Sequence, residues 1–295
     1  MRTTLTIESV KLLIKSALEN AEKIGQVDYR HVESMNQEAI NLMMNGKTKE
    51  SLEQFLTALT MSGNIQELRG LCLINIGDWV RRIPGFLNLA LEIFQDAGSL
   101  VKKKTSLSRL KSMEAMVYIF PTERGQDDPK GVQRNMEVLY EAIELARQAY
   151  KDEPEQALNT ESLALHRLAS TVVNFSTKDQ WPQLKEEIKS FLPRLDQDSS
   201  EVARFNYALA MMTDESEQAA RMLLESAVRM LHNNESLADA AYYFYLAAER
   251  YLKINKIAIA RECFMQAEKF HLQEIFANTK WMLQRIKRLE RALSQ

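Results

Sequence analysis

The chain has 295 residues, a formal net charge of −2 and an apolar fraction of 45%. Charge this close to balance argues against a dedicated nucleic-acid binder, which carries a strongly basic footprint. Glycine and proline are scarce, at 9 and 6, so long helices are expected, and no period-two run asks for a strand.

The first segment carries Val10, Leu13, Ile14, Ala17, Leu18, Ala21 and Ile24 as one apolar stripe. This spacing predicts an amphipathic helix from Thr6 to Ile24 with Gly25 as its stop. Glu8, Lys11 and Lys15 interrupt any apolar run, so the segment does not read as a signal peptide. Nothing in the chain approaches the ~20 apolar residues of a membrane span, and a cytoplasmic protein is expected. Cys72 and Cys263 lie far apart inside helical patterns, which suits two buried, reduced thiols.

A second helix is predicted from Asp28 to Met44, closed by Asn45-Gly46, and a third carries Leu52, Phe55, Leu56 and Leu59. Asn64 with Glu67 has the spacing of a capping box for a fourth. Pro84-Gly85 breaks the next connection, before a helix from Phe86 to Val101. A shorter helix follows from Ser106 to Phe120. Pro121–Gly131 is then the polar segment expected to form a real loop, with Asp128-Pro129 opening the next helix.

Pro154 to Phe175 reads as another long helix. Thr177 with Gln180, Ser199 or Ser200, Asp214 with Glu217, and Ser236 with Asp239 mark the helix starts that follow. Ala241 to His271 reads as two helices around a tight turn at Ile254–Asn255–Lys256, and a last helix spans Leu272 to Leu293. The pattern predicts an all-α chain of about fourteen helices, or seven antiparallel pairs. It forms one domain over residues 1–295, and any subdivision would fall near residues 121–131.

Catalytic and metal chemistry find no support in the motifs. The histidines His31, His166, His232 and His271 are scattered, with no second ligand at metal-binding spacing. Gly46-Lys47-Thr48 lacks the earlier glycine of a phosphate loop, since Asn41 stands there. Ser99 and Lys102 have the spacing of a nucleophile pair without its other elements. Glu186 and Glu187 diverge on successive helix positions. No cofactor and no enzyme activity are expected. Lys102-Lys103-Lys104, with Arg109 and Lys111 nearby, is the densest basic run and reads as a solvated helix end.

Small and bulky residues recur at fixed offsets. Ala248, Tyr251, Ala260, Phe264 and Ala267 set the pattern. It repeats in Ala208, Met211, Ala220, Leu224 and Ala227, and again in Ala39, Leu42, Ser51, Phe55 and Ala58. Ala90, Phe94 and Ala97 form a weaker copy, with Asp78 and Arg81 in place of the expected small and bulky residues. Small residues let helix backbones approach, and the aromatic fills the space between pairs. The pattern resembles a degenerate tetratricopeptide repeat. That resemblance implies a right-handed α-solenoid whose first helices line a concave groove holding an extended peptide or protein segment.

Projecting the register implied by this resemblance puts Asn36, Asn75, Trp79 and Arg82 in the groove from the N-terminal pairs. His166 and Asn174 come from the middle, and Tyr242, Tyr245 and Glu249 from the C-terminal part. Asparagine suits a peptide backbone because it donates and accepts at once, and Tyr and Trp add stiff contact area. Of Tyr242, Tyr243 and Tyr245, which lie on successive faces, at least one is expected to pack against a neighbour. Asn36, Asn75 and Asn174 on one inner surface form the sharpest set, and replacing Asn75 by Ala is expected to weaken peptide binding at little cost in stability.

The expected function is a non-enzymatic scaffold that binds a peptide or protein segment. The chain also resembles, more weakly, bacterial peptide-pheromone receptors built from such repeats, which implies a regulator that sequesters a protein. A third reading is a structural subunit of a permanent protein assembly, and the sequence leaves a homodimer open.

Overall fold

The structure is a computed structural model and describes residues 5–44, 47–123, 126–175, 178–214, 217–233, 237–271 and 280–294. Among the described residues the chain is all-helical, with fourteen α-helices, two short 3₁₀ turns and no strand. It divides into two compact units. One holds the chain up to Tyr118 together with Glu137–Ala164. The other holds Ile119–Met136 together with Leu165 onward.

The first unit is built from α1 (Ile7–Ala21), α2 (Tyr29–Met44), α3 (Thr48–Met61), α4 (Gln66–Arg81) and α5 (Leu87–Leu100). It also takes parts of α6 (Lys104–Glu123), α7 (Pro129–Ala149) and α8 (Pro154–Phe175). Thr6 opens α1 as expected: its hydroxyl accepts from the Ser9 amide at 3.1 Å while Ser9 Oγ accepts from the Thr6 amide at 2.9 Å, closing a capping box.

Helices pair with their chain neighbours, α2 with α3 and α4 with α5, and α3 packs on α1 and α4. The small residues of the pattern lie at these contacts. Ala39, Ser51, Phe55 and Ala58 are fully buried. Ser51 is small enough for its hydroxyl to reach across and donate to the Ala39 carbonyl at 2.8 Å. Between α4 and α5 the approach is closer still. A Cβ at Gly77 would stand 2.5 Å from the Phe94 ring, so only glycine lets that ring seat.

The second unit holds the remaining parts of α6, α7 and α8, then α9 (Trp181–Phe191), α10 (Ser200–Met211), α11 (Glu217–His232), α12 (Leu237–Lys253), α13 (Ile257–His271) and α14 (Lys280–Ser294). Ser199 caps α10, its hydroxyl accepting from the Val202 amide. The turn at Ile254–Asn255–Lys256 forms as predicted. Asn255 adopts φ 60°, and the Lys256 amide donates back to the Tyr251 carbonyl at 2.9 Å, the hydrogen bond of a left-handed helix stop. Ala208, Ala220, Ala227, Ala248, Ala260 and Ala267 are all buried, where α10 to α13 pack in sequence.

Two predictions are corrected. Asn64 does not cap α4. Ile65 holds the cap position without a side-chain bond, and Asn64 instead accepts from Arg69 Nη2 at 2.9 Å. The loop expected at residues 121–131 is shorter, because α6 carries Pro121 inside its last turn and runs on to Glu123. Proline removes one helical donor but does not stop a helix that is already ending. The predicted last helix is described only from Lys280. Asn45-Gly46, Thr177, Ser236 and residues 272–279 lie outside the described residues. No helix among the described residues is long and apolar enough to cross a membrane.

Candidate peptide-binding site

In the first unit α2, α4 and α6 carry a chain of polar side chains. Arg109 Nη2 donates to Asn75 Oδ1 at 2.8 Å. Asn75 Nδ2 donates to Asn36 Oδ1 at 3.1 Å. Asn36 Nδ2 donates to the Val32 carbonyl at 3.1 Å and to Cys72 Sγ at 3.3 Å. The direction of the chain is forced. A guanidinium only donates, so Asn75 must turn its oxygen to Arg109 and its amide nitrogen to Asn36, and Asn36 must then pass its own N–H groups onward.

Counting donors and acceptors shows what remains for a ligand. Asn36 has spent both amide hydrogens. Asn75 keeps one N–H and one lone pair, the combination that reads a peptide unit. These side chains border a cavity of about 420 Å³. Glu33, Ser34, Gln37 and Ile40 of α2, Leu68 and Leu71 of α4 and Arg109 of α6 also line it.

Burial sets the electrostatics here. It raises the Cys72 thiol to about 11, against the smaller opposing effects of the Asn36 hydrogen bond and the Arg109 charge, so the thiol stays protonated and inert. Burial also lowers the Arg109 pKa, opposed by Asp78, Cys72 and Glu33. The guanidinium nevertheless keeps its proton at any ordinary pH.

Close by on α4, Asp78 Oδ1 accepts from Arg81 Nε at 2.7 Å and Asp78 Oδ2 from Arg82 Nη2 at 3.1 Å. Asp78 and Arg81 are the two residues that depart from the repeat pattern, and both are buried. They replace a small–bulky contact by a buried ion pair.

In the second unit Asn174 organises a different cluster. Its Nδ2 donates to the Ser170 carbonyl at 2.8 Å and to the Tyr207 hydroxyl at 2.9 Å. Its Oδ1 accepts from the Tyr242 hydroxyl at 3.3 Å. Tyr207 stacks on Tyr243, centroids 4.7 Å apart, and burial pushes the pKa of both phenols well above the ordinary value. This cluster ties α8, α10 and α12 together.

The predicted residues therefore separate. Asn36 and Asn75 meet directly, while Asn174 belongs to the other unit. Arg82 is half-buried beside Asp78. Trp79 is 2% exposed and packs in the core rather than lining a groove, because a large indole gains more from burial than from exposure. Tyr245 is 4% exposed and packs edge-on against Phe264 at 5.6 Å; burial, with Glu268 and Glu290, raises its phenol to about 12. His166 and Glu249 are half-buried on α8 and α12.

Arg109 is the site residue absent from the projected set. It stands 34 residues after Asn75, the usual tetratricopeptide period, and that spacing is the signal that marks it. Two lysines of the basic run it was grouped with are paired locally. Lys103 pairs with Glu153 at 2.7 Å, and Lys111 with Glu114 and Glu141, while Arg109 turns to Asn75. Ser99 donates to the Asp96 carbonyl at 2.7 Å.

A second cavity, of about 560 Å³, lies along α11 beside Leu224, Val228 and His232. Its Arg229 and Asn233 already donate to the carbonyls of Gln197 and Asp198. A scan against protein-family models and a search of curated proteins both found no match to the chain.

Proposed function

We propose that the chain is a non-enzymatic helical-repeat protein that binds an extended peptide, or an extended segment of a protein partner, along α2, α4 and α6. On this reading the helix pairs within each unit stack in the right-handed, tetratricopeptide-like manner, and first helices carry the recognition surface. The supporting observation is the Arg109–Asn75–Asn36 chain beside an open cavity of about 420 Å³. A polar chain in this position is costly to bury. Its spare N–H and lone pair on Asn75 match the donor and acceptor of a peptide unit.

The test is thermal melting of the full chain against pools of short, unstructured peptides. A ligand of the folded state raises the melting temperature with concentration, by on the order of 5–10 °C at a hundredfold excess over Kd. No shift with any pool at millimolar peptide contradicts the reading.

A further inference from the structure

The charge of the chain is unevenly placed. Over the span of α14 the sequence holds Lys280, Arg285, Lys287, Arg288 and Arg291 against one acid, Glu290, a net of +4. The whole chain stands at −2, so the rest of it carries −6.

The helix presents part of that charge outward. Leu289 and Leu293 are buried where α14 packs on α12 and α13. At 3.6 residues per turn, Lys287, Arg288 and Arg291 fall on the opposite face, and all three are exposed. Among the described residues none of the three makes an ion pair, whereas Lys103, Lys111 and Lys256 each have a carboxylate within 3.4 Å.

Beside this face α13 leaves two large apolar side chains in solvent, Ile257 at 42% and Met265 at 63% exposed. Between them Arg261 donates to the Leu293 carbonyl of α14, through Nε at 3.2 Å and Nη2 at 2.9 Å. Arg261 stands four residues after Ile257 and four before Met265, so the three share the side of α13 that is turned to α14.

Apolar contact area beside unpaired guanidinium groups suits a protein partner, since Met and Arg are enriched at protein interfaces and charge then selects who binds. The phosphates of a nucleic acid would use the cations and gain nothing from Ile257 and Met265. A flat anionic bilayer would press on the exposed Glu262 and Glu268 of α13 as well. With Leu289 and Leu293 buried, α14 also has no apolar face to insert.

We propose that α13 and α14 form a docking face for an acidic amphipathic segment of a protein partner. Its apolar side chains rest on Ile257 and Met265, and its carboxylates meet Lys287, Arg288 and Arg291. This face stands independently of the peptide-binding reading, whose residues Asn36, Asn75 and Arg109 belong to the other unit.

Three labelled helical peptides of equal length test it by fluorescence anisotropy against the full chain. The first has leucines on one face and glutamates on the other. The second replaces every glutamate by lysine, and the third every leucine by serine. The first binds, and each of the others binds about tenfold or more weakly. The double variant Arg288→Glu with Arg291→Glu loses the glutamate peptide and takes up the lysine peptide, as a reversed charge pattern requires. Met265→Ser weakens the glutamate peptide alone. Melting of the free variants establishes that they are folded.

A duplex oligonucleotide and phosphatidylserine vesicles are titrated in parallel. Tighter binding of either one, lost in the double variant, overturns the assignment to a protein partner. Equal binding of the three peptides, binding of the glutamate peptide that survives the double variant, or none at millimolar peptide overturns the docking face and leaves the α2–α4–α6 reading standing.

Discussion

Arg109 Nη2 donates to Asn75 Oδ1 at 2.8 Å, joining α6 to α4 across 34 residues of chain. Because the guanidinium has nothing to accept with, this one contact orients both amides behind it, Asn75 and then Asn36. The same contact decides what each residue is worth.

Asn75 is a structural residue as well as a candidate ligand. Replacing it by Ala removes the acceptor of Arg109 and the donor to Asn36 in a buried setting, so the cost is about 1–3 kcal/mol of stability. This revises the expectation that the substitution spares stability. Chemical denaturation of Asn36→Ala, Asn75→Ala and the double variant checks it. The two losses should be non-additive by about 0.5 kcal/mol or more, as for residues in direct contact. Strict additivity would mean that the two amides act independently.

Gly77 offers a test of sign. In an exposed helix interior, glycine to alanine stabilises by about 1 kcal/mol. Here the new Cβ would meet the buried Phe94 ring at 2.5 Å, so Gly77→Ala should destabilise, by about 1–3 kcal/mol. Adding Phe94→Leu should lessen the penalty of the alanine. A stabilised Gly77→Ala chain would contradict the close packing of α4 on α5.

In the second unit, Tyr207→Phe loses the hydroxyl bonded to Asn174 but keeps the ring stacked on Tyr243. It should cost about 1 kcal/mol. Tyr207→Ala removes the ring as well and should cost about 3–5 kcal/mol. Equal losses in the two variants, measured by denaturation, would place all of the energy in the hydrogen bond.

Both cysteines are free and buried, and burial raises each thiol from about 9 to about 11. The unfolded chain releases these protons first. The thiols' contribution to stability is therefore complete below pH 9 and is lost as pH rises from 9 to 11. At pH 8 iodoacetamide should leave both thiols of the native chain unmodified, while the denatured chain reacts fully, as mass spectrometry would read. Rapid native alkylation of Cys72 would contradict its place behind Asn36.

The helices were legible because their signals are local. The helix start at Thr6, the Ile254–Asn255–Lys256 turn and the alanines at the pair contacts depend on neighbours within one or two helical turns. Asn36 and Asn75 were legible as a pair through the repeat register. The register could not show that Asn75 turns its oxygen to Arg109, because that choice is made by a side chain on another helix. Arg109 was hidden in a basic run in which Lys103 pairs with Glu153 and Lys111 with Glu114 and Glu141. Trp79 and Tyr245 were placed in the groove by the same register, but large rings on a helix that packs on several sides find cover. The split of α6, α7 and α8 between two units has no composition shift to announce it.

The central claim is that an extended segment lies along α2, α4 and α6. Hydrogen exchange of the full chain, with and without the peptide pool that raises its melting temperature, tests it most directly. The account predicts added protection in residues 29–44, 66–81 and 104–118, which hold Asn36, Asn75 and Arg109, with little change in α3 and α5. Protection confined to α3, α5 or the α11 cavity would contradict it.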